Sequence, residues 1–283
     1  MTLADALADT RRRLEAADVD EASRTAAWLV EAATGTTRTD ALLRPSRVLS
    51  VEEIDRLDGF VVRRVAGEPV QYVTGEAAFR RLALHVAPGV LIPRPETEEL
   101  VDLVLDGVRH LRAPRLLDAG TGSGCIALAL RDERPDAIVD AFDVSDDALV
   151  LARANAERLG VDVAFHRADL LAAALPPDLH GPYDALVSNP PYIPDADADS
   201  LAREVVAHEP ALALFSGPDP LTFYRALARH ARAVVRPGGL VAVEVDDAHA
   251  QASAACFGND AFEDVRVHSD LYGRARFVTA RRR

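Results

Sequence analysis

Apolar side chains return every three or four positions through the first 70 residues. Leu3, Leu7 and Leu14 recur at helical spacing, Trp28, Leu29 and Ala32 do so before Gly35 stops the segment, and Ile54, Leu57, Val61 and Val65 share one face of residues 51–65. This periodicity predicts a small N-terminal helical bundle over residues 1–70, suited either to packing or to recognising a substrate. Between Gln71 and Leu91 the pattern changes to alternation at Leu82, Leu84 and Val86 and stops at Pro88-Gly89, which predicts a β-hairpin linker over residues 71–92. After Pro93 short apolar runs alternate with helical stretches. Strands are predicted at 115–119, 138–142, 163–165, 185–187 and 240–245, with helices at 125–130, 145–160 and 221–235 between them and an antiparallel pair, 262–268 and 276–280, at the end. Such alternation is the pattern of a parallel sheet covered by helices. The expectation is an α/β chain whose residues 93–283 form a doubly wound, Rossmann-like sheet.

Composition narrows the chemistry. The 283 residues carry 32 basic and 45 acidic side chains, a net charge of −13, and every basic one is arginine. Reactions that need an amine side chain, such as Schiff-base formation, are thereby excluded. The acidic balance argues against stable nucleic-acid binding, since affinity for phosphates comes mostly from a cationic surface. Cys125 and Cys256 are too few for a disulfide scaffold and are expected as small core residues. The eight histidines show no ligand spacing, so no metal is expected. Asp5 and Asp9 stand where an export signal needs positive charge, and the longest uncharged run, Ala119 to Leu130, is far short of a membrane span. A cytoplasmic location is expected.

In a doubly wound sheet the ligand sits beyond the carboxyl ends of the strands, where a glycine turn lets backbone approach it. Gly120, Gly122 and Gly124, with Thr121 and Ser123 between them, occupy that place. Asp143 ends the next strand and is placed for ribose hydroxyls. Nicotinamide enzymes and S-adenosylmethionine-dependent methyltransferases share this arrangement. Asp118 before the turn and Asp169 after the third strand add acids along the same edge, which a cationic sulfonium tolerates better than a pyrophosphate does.

Asn189-Pro190-Pro191-Tyr192 follows the fourth strand at that same edge. Consecutive prolines fix φ and supply no N–H, so the backbone is stiff and its carbonyls are left to accept hydrogen bonds. A planar NH2 group presents two donors, which the Asn189 side-chain oxygen and the Pro190 carbonyl can take while Tyr192 packs against the flat face. An amide nitrogen is a poor nucleophile because its lone pair is delocalised. A site that aims it and favours its charge-bearing form supplies rate by position and electrostatics.

Asp118-Ala-Gly-Thr-Gly-Ser-Gly124, Asp143-Val-Ser145, Asn155-Ala156 and Ser188-Asn-Pro-Pro-Tyr-Ile193 resemble the release-factor glutamine methyltransferases, the HemK/PrmC family. So do Gly67-Glu-Pro-Val-Gln-Tyr72 with Gly75 and Phe79, Pro88-Gly-Val-Leu-Ile-Pro-Arg-Pro-Glu-Thr-Glu98, Leu221-Thr-Phe-Tyr-Arg225, Pro237-Gly-Gly239 and Glu244, so the likeness spans nearly the whole chain. The resemblance implies a class I methyltransferase sheet and transfer of a methyl group from S-adenosylmethionine to the side-chain amide nitrogen, N5, of the glutamine in the Gly-Gly-Gln motif of bacterial class 1 peptide chain release factors. It implies that Asp118 and Gly120 to Gly124 surround the cofactor's methionine part, Asp143 its ribose, and Asp169 and Leu170 its adenine, with Asn189 touching cofactor and substrate. Asn189, Pro190, Pro191 and Tyr192 would hold the glutamine, with Asn189, Pro190 and Tyr192 as the catalytic set. Arg81, Pro220 and Asp246 depart from the family's usual glycines, and Asp246 is expected to disturb the backbone most.

A DNA or RNA adenine-N6 methyltransferase is the rival reading, because a flipped adenine offers the same kind of NH2 group. It needs a basic cleft, which a −13 chain does not clearly offer. Arg94 and Glu96 read equally well as site residues or as an ordinary helix start around Pro95.

Overall fold

Local signals start the helices of the first unit. In a computed structural model that describes residues 1–179, 181–258 and 260–283, these are α1 (Leu3–Glu15), α2 (Ala22–Thr34), α3 (Arg38–Leu43), α4 (Val51–Val65) and α5 (Val70–Thr74). Thr2 with Asp5, Thr37 with Asp40 and Ser50 with Glu53 form capping boxes that satisfy the first N–H groups of α1, α3 and α4. Leu3, Ala6, Leu14, Leu29, Val30, Leu57 and Val61 bury together. The face of α2 is rotated from the one expected. Trp28 and Ala32 point outward, with Arg24 4.6 Å over the Trp28 ring, while Ala26, Leu29, Val30 and Ala33 point inward. In α4 Ile54, Leu57 and Val61 face inward as expected, and only Val65 of that set is exposed.

The hairpin is shorter than the alternation suggested. Residues 71–74 are helical, and only β1 (Glu76–Phe79) and β2 (Leu82–His85) are strands. Arg80 turns the chain between them with φ +53° and is held by carboxylates of Asp102 and Glu133 and, through its N–H, of Glu98. Arg81 keeps an ordinary backbone and pairs with Asp132 at 2.9 Å. The missing glycine at 81 therefore costs the turn nothing.

Beyond the hairpin come α6 (Pro95–Val108), β3 (Arg115–Ala119), α7 (Cys125–Glu133), β4 (Ile138–Asp143), α8 (Asp146–Leu159), β5 (Ala164–Arg167), β6 (Tyr183–Ser188), β7 (Ile193–Pro194), α9 (Arg203–His208), α10 (Ala211–Leu214), β8 (Phe215–Gly217), α11 (Thr222–Val234), β9 (Val235–Glu244), α12 (Ala250–Ala255), β10 (Phe262–Ser269) and β11 (Ala275–Arg282). Seven strands form one sheet in the order β10-β11-β9-β6-β3-β4-β5, the last five parallel and β11 antiparallel to β9 and β10. Side chains alternate between two cores on opposite faces: Leu116, Ala185 and Ala242 face one, Leu117, Leu186 and Val241 the other. Both faces being covered is why the central strands read as continuous apolar runs. By contacts the chain divides into two units, residues 1–76 with 203–208 and residues 77–202 with 209–283. In the first, Arg64 pairs with Glu204 of α9 at 2.8 Å.

Candidate active site

The crossing from β3 to α7 is fixed by the end of the neighbouring strand. The N–H groups of Gly120 and Thr121 both donate to the Phe142 carbonyl, at 2.9 and 3.0 Å, and the Gly122 N–H donates to Asp143 Oδ2 at 2.9 Å. The other Asp143 oxygen accepts the Ser145 N–H at 2.9 Å, and the Ser145 hydroxyl caps α8. One carboxylate thus joins the glycine turn to the next helix start. Gly120, Gly122 and Gly124 have φ of +76°, +55° and +85°, a region glycine enters without a Cβ clash.

These turns wall a cavity in the second unit together with Val90 to Arg94, Thr97, Phe142, Asp143, Asp169, Leu170, Asn189 to Pro191, residues of the 210–213 loop and Phe223. Of the expected site residues, Gly120, Thr121, Gly122, Ser123, Asp143, Asp169, Leu170, Asn189, Pro190 and Pro191 reach it. Three do not. Asp118 is fully buried beneath the turn, where it accepts the Thr121 hydroxyl at 2.6 Å, and burial pushes its carboxyl up to about 7. Gly124 caps α7 under Leu128 and Ala152, which a Cβ there would meet at 3.0 and 3.3 Å. Tyr192 packs on the core beside Tyr224, with its phenol pushed upward by burial and by Glu244. Tyr192 is therefore not among the residues that line the cavity.

The wall suits a nucleoside that carries a cationic centre. Gly120 lines the cavity, and a Cβ there would meet no atom of the described residues beyond its chain neighbours within 4 Å, so the bare glycine backbone leaves room for a ligand. Asp143 and Asp169 offer acceptors for hydroxyl and amino groups, and Ala168, Leu170 and Ile92 give apolar surface. Leu170 is held in place by its own carbonyl, 2.9 Å from His230 Nε2. Burial raises the Asp143 carboxyl above its ordinary range, against the pull of the Ser145 and Gly122 N–H groups.

Ser188 Oγ donates to the Ala119 carbonyl at 2.7 Å and locks the end of β6 to the end of β3, so Asn189 emerges at the cavity rim. Asn189 Nδ2 donates to Thr97 Oγ1 at 3.0 Å, and Thr97 Oγ1 donates to Glu244 Oε2 at 2.7 Å. Thr97 and Glu244 are buried, and burial pushes the Glu244 carboxyl up to about 7 despite Arg276 and the Thr97 hydroxyl.

The helix-start reading of Arg94 and Glu96 holds, with Pro95 in the first turn of α6, but Arg94 also lines the cavity and pairs with buried Glu209 at 2.7 Å. Cys125 packs against one of the two cores, as expected, and also reaches the cavity wall, its thiol pushed up to about 12 by burial. Asp246 has extended φ −74°, ψ 139° and accepts the Ala248 N–H, so no glycine is required there. No cluster of metal-ligating side chains and no membrane-length apolar helix occurs among the described residues.

Asn155, noted only as part of a motif, is a staple. Its amide bonds both backbone groups of His85 and the Ser123 carbonyl, at 2.7, 3.0 and 3.0 Å, fastening β2 to the glycine turn.

Residues 5–75 match the family described as PrmC N-terminal domain, and residues 98–217 the family described as Methyltransferase small domain. The chain is 44% identical to the release factor glutamine methyltransferase of Bacteroides thetaiotaomicron, over 83% of this chain and 84% of that one. With the release factor glutamine methyltransferase of Caulobacter vibrioides it shares 42% identity over 98% of this chain and 96% of that one. A methyltransferase from Pyrococcus furiosus shares the fold, with TM-score 0.52 at 16% identity over 82% of this chain and 98% of that one.

Proposed function

The chain belongs to the release factor glutamine methyltransferase family, and from that premise we propose that Asn189, Pro190 and Pro191 hold the glutamine side chain of a peptide chain release factor for methylation at its amide nitrogen. S-adenosylmethionine is the methyl donor, and when bound it supplies a sulfonium-activated methyl carbon. The observation that carries the reading is the setting of Asn189: its NH2 donates to Thr97, and its Oδ1 has no donor among the described residues. An amide aimed in this way accepts one N–H of the glutamine, and the Pro190 carbonyl accepts the other. Both acceptors favour positive charge as it develops on nitrogen, without reorganising. Tyr192 stiffens the corner from behind.

Gly120 to Ser123 surround the donor's amino-acid part, Asp143 accepts its ribose hydroxyls, and Asp169 and Leu170 border its base. Residues 1–76 hold none of this chemistry, which suits them to recognising the release factor. A partner that acts in translation supports a cytoplasmic location. Adenine methylation is disfavoured because the cavity wall carries one arginine, Arg94, already paired with Glu209.

The test incubates the protein with methyl-labelled S-adenosylmethionine and either a release factor or duplex DNA, then maps the label by mass spectrometry. Label confined to the Gly-Gly-Gln glutamine supports the reading; label on adenine and none on glutamine overturns it.

A further inference from the structure

We infer that Thr97 and Glu244 are positioning residues that set which end of the Asn189 amide faces the substrate. The inference rests on the reading that Asn189 Oδ1 accepts from the glutamine NH2.

The two ends of an asparagine amide are nearly the same size, and a half-turn about the last side-chain bond exchanges acceptor for donor. Turned the wrong way, Asn189 would present N–H groups to a substrate that itself presents N–H groups. Packing alone cannot distinguish these states; a neighbour with a fixed hydrogen-bond polarity can. A threonine hydroxyl has a single proton, and ionised Glu244 can only accept. Thr97 therefore gives its proton to Glu244 Oε2 at 2.7 Å, and the lone pairs that remain can only accept, which calls for the NH2 end of Asn189 at 3.0 Å.

The chain has one direction, from Asn189 to Thr97 to Glu244, and it is sealed from water, with Thr97 and Glu244 at 2% and 1% exposure. Its far end is anchored as well: the Tyr224 hydroxyl donates to the Glu244 backbone carbonyl at 3.1 Å. Three distant stretches thus meet on one amide, the start of α6, the exit of β6 and the end of β9.

Glu244→Gln is the informative perturbation. A glutamine can turn its own NH2 toward Thr97, whose proton is then free to point at Asn189 and invite the amide to flip. Thr97→Val removes the relay at nearly constant volume, and Thr97→Ser restores the hydroxyl.

The experiment measures kcat, KM for a release factor and cofactor Kd at pH 8.5 for the wild type, Asn189→Ala, Thr97→Val, Thr97→Ser and Glu244→Gln, and follows solvent exchange of the Asn189 side-chain NH2 by 15N NMR. Thr97→Val and Glu244→Gln should lower kcat by about tenfold or more, with cofactor Kd unchanged and faster exchange at Asn189, while Thr97→Ser returns both toward wild type. If Asn189→Ala lowers kcat and both Thr97→Val and Glu244→Gln leave kcat and exchange unchanged, the relay is refuted and the substrate reading stands. If Asn189→Ala itself leaves kcat unchanged, the reading beneath the relay fails. A kcat loss in Thr97→Val that Thr97→Ser does not reverse also refutes the relay.

Discussion

Asp143→Asn probes the cofactor site through a group whose geometry is fully specified. Each carboxylate oxygen already accepts one backbone N–H, from Gly122 and from Ser145, both at 2.9 Å. These bonds hold the group still and leave its remaining lone pairs for the ribose hydroxyls proposed above. Asparagine keeps one acceptor and sets its NH2 against one of the two N–H groups. The ligand then loses a charge-assisted hydrogen bond of about 1.5 to 3 kcal/mol, roughly a 10- to 150-fold rise in Kd. The protein also carries an unsatisfied N–H, a stability cost of about 1 to 3 kcal/mol. Isothermal titration with S-adenosylhomocysteine, the demethylated product, reads the first effect and urea unfolding the second. The charged form is the better acceptor and burial raises the Asp143 pKa. Wild-type affinity should therefore weaken as pH falls through that raised value, and the Asn variant should not follow it. A folded Asp143→Asn protein with wild-type affinity at neutral pH would remove Asp143 from the site.

Asp118 tests the electrostatics beneath the turn. Its folded pKa of about 7 lies above the ordinary 3.8, so its contribution to stability is full below 3.8 and is lost as pH rises through 7. Between pH 5 and 8 the wild type should lose about 3 kcal/mol from this group that Asp118→Asn does not lose; urea melts that run parallel over that range would contradict the assignment. Glycine substitutions separate packing from binding. Gly124→Ala should lower stability by about 1 to 2 kcal/mol and leave cofactor Kd within a few-fold, whereas Gly120→Ala, on the cavity wall, should weaken cofactor binding clearly. Equal effects of the two on Kd would refute the division.

The sheet is legible in the sequence because its core strands are apolar on both faces, and no other element of that length fits between the flanking helices. Ser145 and Gly160 mark α8 at both ends, and the structure uses both as caps. Helix faces are less legible. At 100° per residue, taking Trp28 as an inward residue rotates α2 away from its true face, and a large ring stacked under Arg24 satisfies the same pattern as a core ring.

Within the site, motif residues contiguous along the chain were found together, and the rest depended on separation. Thr97 is 92 positions from Asn189 and 147 from Glu244, and although it lies inside the Pro88 to Glu98 motif, nothing local shows that its hydroxyl meets either. Asp118 and Tyr192 sit inside recognisable motifs, yet one supports the turn from below and the other stiffens the corner from behind. A motif identifies the neighbourhood; the side chain's direction decides whether it touches the ligand.

Single-turnover methyl transfer to a release factor by Asn189→Ala, measured beside its affinity for the cofactor, bears most directly on how the carboxamide is held. Loss of an aimed acceptor should slow transfer by about 10²-fold or more while cofactor affinity stays near wild type. Transfer at the wild-type rate in that variant would contradict the account.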